Sequence, residues 1–591
     1  MNIVCDIETD NLAINTPINY VGFYGKRDRD DTPFFTCYKL PQDVDKIKRF
    51  IQVGEEHGAK WAFHNGKFDT VRILYSYGID MKISHDTMIL AYLCSTVDEL
   101  KDNRGKWLGL KYAAPRILGV ENWDIATSKK TSKTDEDVIP YLEKDCKYTY
   151  ELLEKLKELL PVNRRKTYKL IIEALNAYKY VEINGLPIDM DALEQTYNEY
   201  KQQSEEISEQ LKTYADINYN SPIQLQKLLF EDLQLPIISY TDKGAPSTGV
   251  SELKRLQGQH PIIDLLLKHR EVEKALTFLV SWKESAVKHD DGFYYVHSNF
   301  NMHGTVTGRT SSSDVNLQQV PRNKKLKSLF KATMPGWELA CLDFSQLELR
   351  FAGIVADVAA IKDSYRNGVD LHKLMAAKVA GCTMDEVTKE MRTQAKAINF
   401  GFIYGMQAAS FVDYARDSYG VNVTLEESTQ IRQAFFDLYP ELNVYYQKVE
   451  DDLLNYCKQT SIMGRDYEIN AHKLANPFKR SNYIRAGINF PVQSAGSDYV
   501  ICGLIEVINS PELKGKIRGC ATVHDSIIFL VKQDGIADTV TKVQQIMQKP
   551  KLAEQLLTKE IDIPIVVDIE LGPLGKGVDL DEYLKQQSEQ Q

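Results

Sequence analysis

Short β-branched and aromatic runs alternate with amphipathic stretches through the first 160 residues. Asn2-Ile-Val-Cys, Tyr20-Val-Gly-Phe-Tyr and Trp61-Ala-Phe read as strands and the stretches between them as helices, which predicts an α/β layer domain. Pro161 and the basic run Asn163-Arg-Arg-Lys166 mark a boundary. From about 190 to 290 the pattern is that of long helices rich in Leu, Lys, Glu and Gln, broken by a turn at Asp242-Lys-Gly-Ala-Pro-Ser. Strands resume at Phe293-Tyr-Tyr-Val-His and Glu338-Leu-Ala-Cys-Leu342, and a helical region runs from roughly 353 to 484. Strands close the chain around Arg518-Gly-Cys-Ala-Thr-Val-His and Ile527-Ile-Phe-Leu-Val. The polar tail from Gln586 to Gln591 reads as frayed.

At 591 residues the chain is too long for one core, and two to four domains are expected. With 43% hydrophobic and 26% charged residues it has the composition of a soluble globular protein. A net charge of -10 opposes a nucleic-acid partner only if it is spread evenly. Acids gathered at metal sites leave room for a basic channel, so local clusters decide. The nine cysteines stand singly, with no C-x-x-C pair, which argues against a disulfide framework and a zinc site. The N-terminus enters a strand without the charged and apolar regions of a signal peptide, and no apolar run reaches membrane-spanning length. The expectation is a soluble, cytoplasmic protein with no membrane partner.

The most informative segment is Arg392-Thr-Gln-Ala-Lys396-Ala-Ile-Asn-Phe400-Gly-Phe-Ile-Tyr404-Gly405, where two cations and two rings recur at every fourth residue. On a helix this spacing makes one stripe. Arg and Lys one turn apart can grip a polyphosphate, and the rings beyond them offer flat surfaces to a nucleobase. Asp343 follows an apolar strand and opens Phe344-Ser-Gln346-Leu-Glu348-Leu-Arg350, while Asp525 precedes another strand in Val523-His524-Asp525-Ser526. Two acids at strand edges can hold two divalent cations, which activate the attacking oxygen and stabilise the leaving oxygen of a phosphoryl transfer.

The stripe resembles the nucleotide-binding finger helix of the family A DNA polymerases, R-x3-K-x3-F/Y-x3-Y-G, and the two acidic segments resemble that family's motifs A and C. Three more segments follow the same pattern in order. Thr307-Gly-Arg309 with Asn316-Leu-Gln318-Gln-Val-Pro321 resembles the primer-template contact segment, and Asp370-Leu-His372 the finger segment that touches nucleotide phosphates. Arg485-Ala-Gly-Ile-Asn489-Phe-Pro-Val-Gln493 resembles the minor-groove contact helix, where Asn, Gln and Arg suit the acceptors that every base pair presents. The resemblance implies that Asp343, Asp525 and the Phe344 carbonyl hold the metals, and that Arg392, Lys396 and His372 bind the incoming triphosphate. Lys396 would also donate a proton to pyrophosphate. Phe400, Tyr404 and Gln346 would face the nucleotide, with Glu348 beneath its sugar, excluding a 2′-hydroxyl. Arg309, Asn316, Gln318, Arg485, Asn489, Gln493 and His524 would track the duplex. Ser526 departs from the pattern, since most relatives carry Glu there.

In the N-terminal part, Asp6-Ile-Glu8 puts two carboxylates on one face of a strand. Asn65-Gly-Lys-Phe-Asp69 and Tyr141-Leu-Glu-Lys-Asp145 add two more acids, and four acids converging on one point need cations between them. The set resembles the DEDD 3′–5′ exonucleases of the Tyr subtype, with an RNase H-like fold. That implies two metals on Asp6, Glu8, Asp69 and Asp145, and Tyr141 orienting the attacking water. Leu12 stands where relatives wedge the frayed primer end, but a lone leucine reads as core.

The resemblance implies an α/β multidomain chain with an exonuclease domain at 1–163 followed by a right-hand polymerase. Its palm would be 164–190, 276–352 and 485–591, its thumb 191–275 and its fingers 353–484. It would be a DNA-directed DNA polymerase with proofreading, using two Mg2+ per active site (Mn2+ is an alternative), primer-template DNA and deoxynucleoside triphosphates. A start only five residues before Asp6, with no 5′-nuclease segment ahead of it, is similar to phage replicative polymerases, which would place the chain in the host cytoplasm. A monomer is expected, and the compact thumb shows no insertion for thioredoxin. The alternatives are a 3′–5′ exonuclease with a non-functional polymerase domain, or a cloned large fragment of a bacterial enzyme.

Overall fold

Alternation in the opening strand decides the first layer: Ile3, Cys5 and Ile7 are buried, while Asp6 and Glu8 stay half-buried on the other face. The computed structural model describes residues 1–102, 106–123 and 134–590. β1 (Asn2–Thr9) is central in a five-stranded sheet with β2 (Ile18–Lys26), β3 (Pro33–Lys39), β4 (Lys60–Phe63) and β5 (His85–Asp86), in the order β3-β2-β1-β4-β5. β1 runs antiparallel to β2 and parallel to β4. Helices α1 (Gly66–Tyr77), α2 (Leu110–Leu118) and α3 (Asp135–Leu159) follow. Gly22 lies opposite Asp6 in β2, and a Cβ there would stand 2.7 Å from Leu142 of α3. A glycine at that point lets α3 close on the sheet and brings Tyr141–Asp145 over β1.

The second half is built on an antiparallel four-stranded sheet. Its strands are β6 (Trp337–Phe344), β7 (Ile517–Val523), β8 (Ser526–Lys532) and β9 (Val567–Leu571), in the order β7-β8-β6-β9. The long helix α4 (Arg165–Asn184) bridges the halves, touching α1 on one side and β7 on the other. α5 (Met190–Lys212) and α6 (Ile262–Ser285) pack together, but between them the chain forms only short helical pieces and irregular turns rather than continuous helix. Beyond β6 come α7 (Leu347–Val355), α8 (Leu371–Ala380), α9 (Lys389–Phe402) and the 33-residue α10 (Pro477–Asn509).

Three expectations need correction. The helical reading of 353–484 is interrupted by a hairpin, Lys458–Thr460 with Asp466–Glu468, closed by Gly464 at φ 85°. Its strands are too short to show alternation. At the expected boundary at 161–166 the Arg164 side chain is buried, 2.9 Å from Asp466 and paired with Glu468. Leu12 is 69% exposed, not core, since it stands in the irregular turn after β1, where Arg72 binds its carbonyl. The tail is helical through Gln590, with Gln586 bonded to Glu582 one turn earlier at 3.2 Å; Gln591 lies outside the described residues. Among the described residues no helix is long and apolar enough to cross a membrane.

Candidate active sites on the two sheets

Asp343 and Asp525 meet where β6 ends and the hairpin β7–β8 turns. The Phe344 N–H donates to the Asp525 carbonyl at 3.2 Å, tying the two acidic segments backbone to backbone. His524 and Asp525 form a two-residue turn between Val523 and Ser526, with His524 at φ 56°. Glycine is the usual residue at such a position, so a histidine there stores of order 1 kcal/mol or more of strain. Gln346, at φ 52°, makes the second sharp turn as it caps α7, and its side-chain oxygen accepts from Tyr365 at 2.9 Å. Both bends flank the acids, as expected where chain direction serves side-chain placement.

Strand register adds what spacing could not. Asp343 lies opposite Ser526 on one side and Asp568 on the other, so the three side chains share one face of the sheet. The Ser526 hydroxyl donates to Asp343. Asp568, within Val566-Val-Asp-Ile, escaped the sequence reading because a single acid in an apolar strand carries no signal of its own. Loss of hydration raises the Asp343 carboxyl, the Ser526 hydroxyl works against this, and Asp568 adds to it. Burial, then the charge of Glu348, pushes Asp525 up to about 6, with Arg309 opposing. Carboxylates held above their usual range are short of positive charge, and hard oxygen donors suit Mg2+ or Mn2+. The residues fit such ions.

α9 shows why the stripe forms. Ala395, Ile398, Asn399 and Phe402 face the core, leaving Arg392, Lys396 and Phe400 on the outer side. The helix ends at Phe402, where the Tyr446 hydroxyl donates to the carbonyls of Phe402 and Ile403 at 2.9 and 2.7 Å. Tyr404 therefore sits in the turn beyond the helix, ahead of Gly405 at φ 72°, and continues the stripe only in space. Lys396, Phe400 and Tyr404 line a cleft of about 830 Å3 with Arg485 and Asn489 of α10, and Arg322 adds a cation that the sequence reading missed.

Other side chains are braced rather than open. Glu348 accepts from both Arg309 and Tyr404. Arg392 donates to Asp370 at 2.7 Å, and Asp370 caps α8 through the His372 and Lys373 N–H groups. His372 is buried, 3.0 Å from the Asn399 amide, with its ring beside Phe400 and its pKa lowered by burial to about 4. It is thus neutral and turned away from solvent. Asn316 caps the short turn that carries Gln318, whose amide reaches Thr310 at 3.0 Å and the Thr522 carbonyl at 3.4 Å. Arg485 bonds Asn482, while the Asn489 side-chain oxygen is buried without a partner and Gln493 is half-buried further along α10. Beneath Arg309, Gly308 rests on Arg465, which is buried against Asp498 at 2.7 Å. Isolated in sequence, that pair gave no signal either.

On the first sheet, oxygens of Asp6, Glu8 and Asp145 lie within 4.8 Å of one another. The expected fourth acid, Asp69, is not in this group; it is buried behind, accepting the Ile7 N–H at 3.1 Å. Burial and then the charges of Asp69, Asp145 and Glu8 push Asp6 well up, and burial raises Asp69 to about 8. Lys111 of α2 donates to Asp145 Oδ1, and Trp123 donates to the same oxygen at 2.5 Å. Tyr141 stands over this group, 4.1 Å from ring centre to the Lys111 ammonium. The acids again fit hard divalent cations.

Comparison with known proteins agrees with this geometry. Residues 5–161 match the family of 3′–5′ exonucleases and residues 190–574 match DNA polymerase family A. The chain is 26% identical to a DNA polymerase of Bacillus phage SP01, over 90% of this chain and 64% of that protein. It is 28% identical to DNA polymerase I of Aquifex aeolicus, over 91% of each, and 28% identical to that of Bacillus subtilis, over 91% of this chain and 60% of that protein. The chain thus spans about two thirds or less of the phage and Bacillus relatives' length. In fold it is similar to the POL domain of Pol1 from M. smegmatis in complex with DNA primer-template and dNTP, with TM-score 0.80 and 22% identity over 97% of this chain and 95% of that one. The chain belongs to DNA polymerase family A and carries a 3′–5′ exonuclease domain ahead of its polymerase domain.

Proposed function

We propose that the chain extends DNA primers on a template from deoxynucleoside triphosphates and trims mispaired 3′ ends, each at its own sheet. The observation that carries this is the junction of Asp343 and Asp525 beside a cleft lined by Lys396, Phe400, Tyr404, Arg485 and Asn489. Asp343, Asp525 and the Phe344 carbonyl would hold Mg2+ or Mn2+ in the polymerase site, and Asp6, Glu8 and Asp145, backed by Asp69, in the exonuclease site. Such ions lower the pKa of an attacking oxygen and stabilise charge on a leaving one. Arg392 and Lys396 neutralise the triphosphate, Phe400 and Tyr404 pack on the nucleotide, and Arg485, Asn489 and Gln493 follow the minor groove. Tyr141 orients the water in the exonuclease site, and Leu12, exposed beside it in sequence, wedges the frayed end. The domain limits expected from the sequence, a monomeric state and cytoplasmic residence belong to the same reading. The test is incorporation of a labelled deoxynucleotide by the purified chain. It depends on both primer and template if the reading holds, and is absent with both present if it fails.

Two substitutions probe the nucleotide cleft. Glu348 is held by Arg309 and Tyr404, so its carboxylate is fixed where a ribose 2′-hydroxyl would collide with it. Glu348→Ala raises the ratio of ribonucleotide to deoxynucleotide incorporation by about tenfold or more, one displaced charge-assisted hydrogen bond. An unchanged ratio with deoxynucleotide extension still measurable places the gate elsewhere. Phe400 offers no hydroxyl to replace a missing 3′-hydroxyl, so Phe400→Tyr increases dideoxynucleotide incorporation about tenfold relative to deoxynucleotide. An unchanged ratio in single-turnover incorporation contradicts Phe400's place against the sugar.

A further inference from the structure

Lys111 has no role in the reading above, yet its ammonium is paired with one of the exonuclease acids. It is the second residue of α2, its side chain is 16% exposed, and its ammonium donates to Asp145, itself 11% exposed. The ring centres of Tyr141 and Trp123 lie 4.1 and 4.3 Å from the ammonium, within cation–π range. Asp145 is shared: its Oδ1 takes two donors, and an oxygen of the same carboxylate lies within 4.8 Å of Asp6 and Glu8. Among the leading charges acting on Asp6, Lys111 is the one cation against three acids.

We propose that Lys111 is a phosphate-binding residue of the exonuclease site, exchanging Asp145 for the backbone phosphate of the strand being trimmed. The proposal rests on the exonuclease reading given above. A divalent cation on Asp6, Glu8 and Asp145 repels the ammonium and competes with it for Asp145. An anionic phosphate entering beside the cation receives the displaced ammonium. Cation and phosphate therefore strengthen each other's binding, and by linkage the coupling is reciprocal. No bond is made or broken in this exchange.

The test uses the chain with Asp343→Ala and Asp525→Ala, so that Mn2+ bound to it reports on the exonuclease acids. Mn2+ is titrated by electron paramagnetic resonance, with and without thymidine 5′-monophosphate, a phosphate that cannot be cleaved further at an internucleotide bond. With Lys111 present, the monophosphate tightens Mn2+ binding. Lys111→Met tightens Mn2+ binding in the absence of monophosphate about tenfold, one charge-assisted hydrogen bond removed from competition, and reduces the added effect of monophosphate at least about fivefold. Lys111→Arg keeps the charge and retains the coupling. Unchanged Mn2+ affinity and unchanged coupling in Lys111→Met overturn the proposal while leaving the exonuclease reading in place. Absence of any Mn2+ binding that Asp6→Ala with Glu8→Ala removes overturns that reading, and the proposal with it.

Discussion

Asp343→Ala stops primer extension, with a loss of at least about a thousandfold, and leaves shortening of 3′ ends at its original rate. The size follows from the metal ligand that Asp343 supplies in the proposed reading. Several kcal/mol of metal-derived transition-state stabilisation vanish, at about 1.4 kcal/mol per factor of ten. The position argues for the specificity. Asp343 is the next-to-last residue of β6, and its neighbours on the sheet are Ser526 and Asp568, none of which reaches the first sheet. Backbone pairing of β6 with β8 and β9 does not depend on the side chain, so the fold survives. Extension and degradation are read from the same 5′-labelled primer, with nucleotides present or withheld. A variant that loses both at once, with unchanged thermal unfolding, contradicts separate sites.

The converse change, Asp6→Ala with Glu8→Ala, abolishes 3′–5′ degradation, again by at least about a thousandfold, and leaves extension near its original rate. Two of the three converging oxygens disappear, and Asp145 remains with Lys111 and Trp123. Stability gives an independent reading. Burial and neighbouring acids hold the Asp6 carboxyl well above its usual range, so its ionised form opposes folding at neutral pH. Its contribution is least unfavourable below the unfolded carboxylate range and worsens as pH rises toward the folded value. In chelator at pH 7 the double variant therefore unfolds at the same temperature as the parent or a higher one. A clear drop means these acids carry bonds that stabilise the fold.

What the sequence made legible was the local chemistry; what it concealed depended on register. Asp6 and Glu8, two apart on a strand, and Arg392, Lys396 and Phe400, four apart on a helix, could be assigned to common faces because the periodicity of one element settles it. Tyr404 shared the spacing but not the helix, since Tyr446, distant in sequence, takes up the last carbonyls. Asp568 and Ser526 flank Asp343 only through pairing with strands 225 and 183 residues away in sequence, which no local pattern encodes. Leu12 looked like core because apolar residues usually are, and the turn that exposes it is held by Arg72 from α1. The burial of His372 behind Asn399 depends on the packing of α8 against α9, which no local pattern shows.

The central claim is that one chain holds two working phosphoryl-transfer sites, despite Ser526 where the family resemblance implies Glu. Primer extension by the unmodified chain with Mg2+ tests it most directly, on a 5′-labelled primer-template whose 3′ end is mispaired. Two acids with a backbone carbonyl and retained waters satisfy an octahedral ion, so Ser526 needs no carboxylate. The account predicts that the labelled strand shortens past the mispair when nucleotides are withheld. It predicts full-length product when they are supplied, with Ser526→Glu changing the extension rate only modestly. A strand that shortens but never lengthens, until Ser526→Glu restores synthesis, would show the polymerase site to be disabled and leave the chain a nuclease.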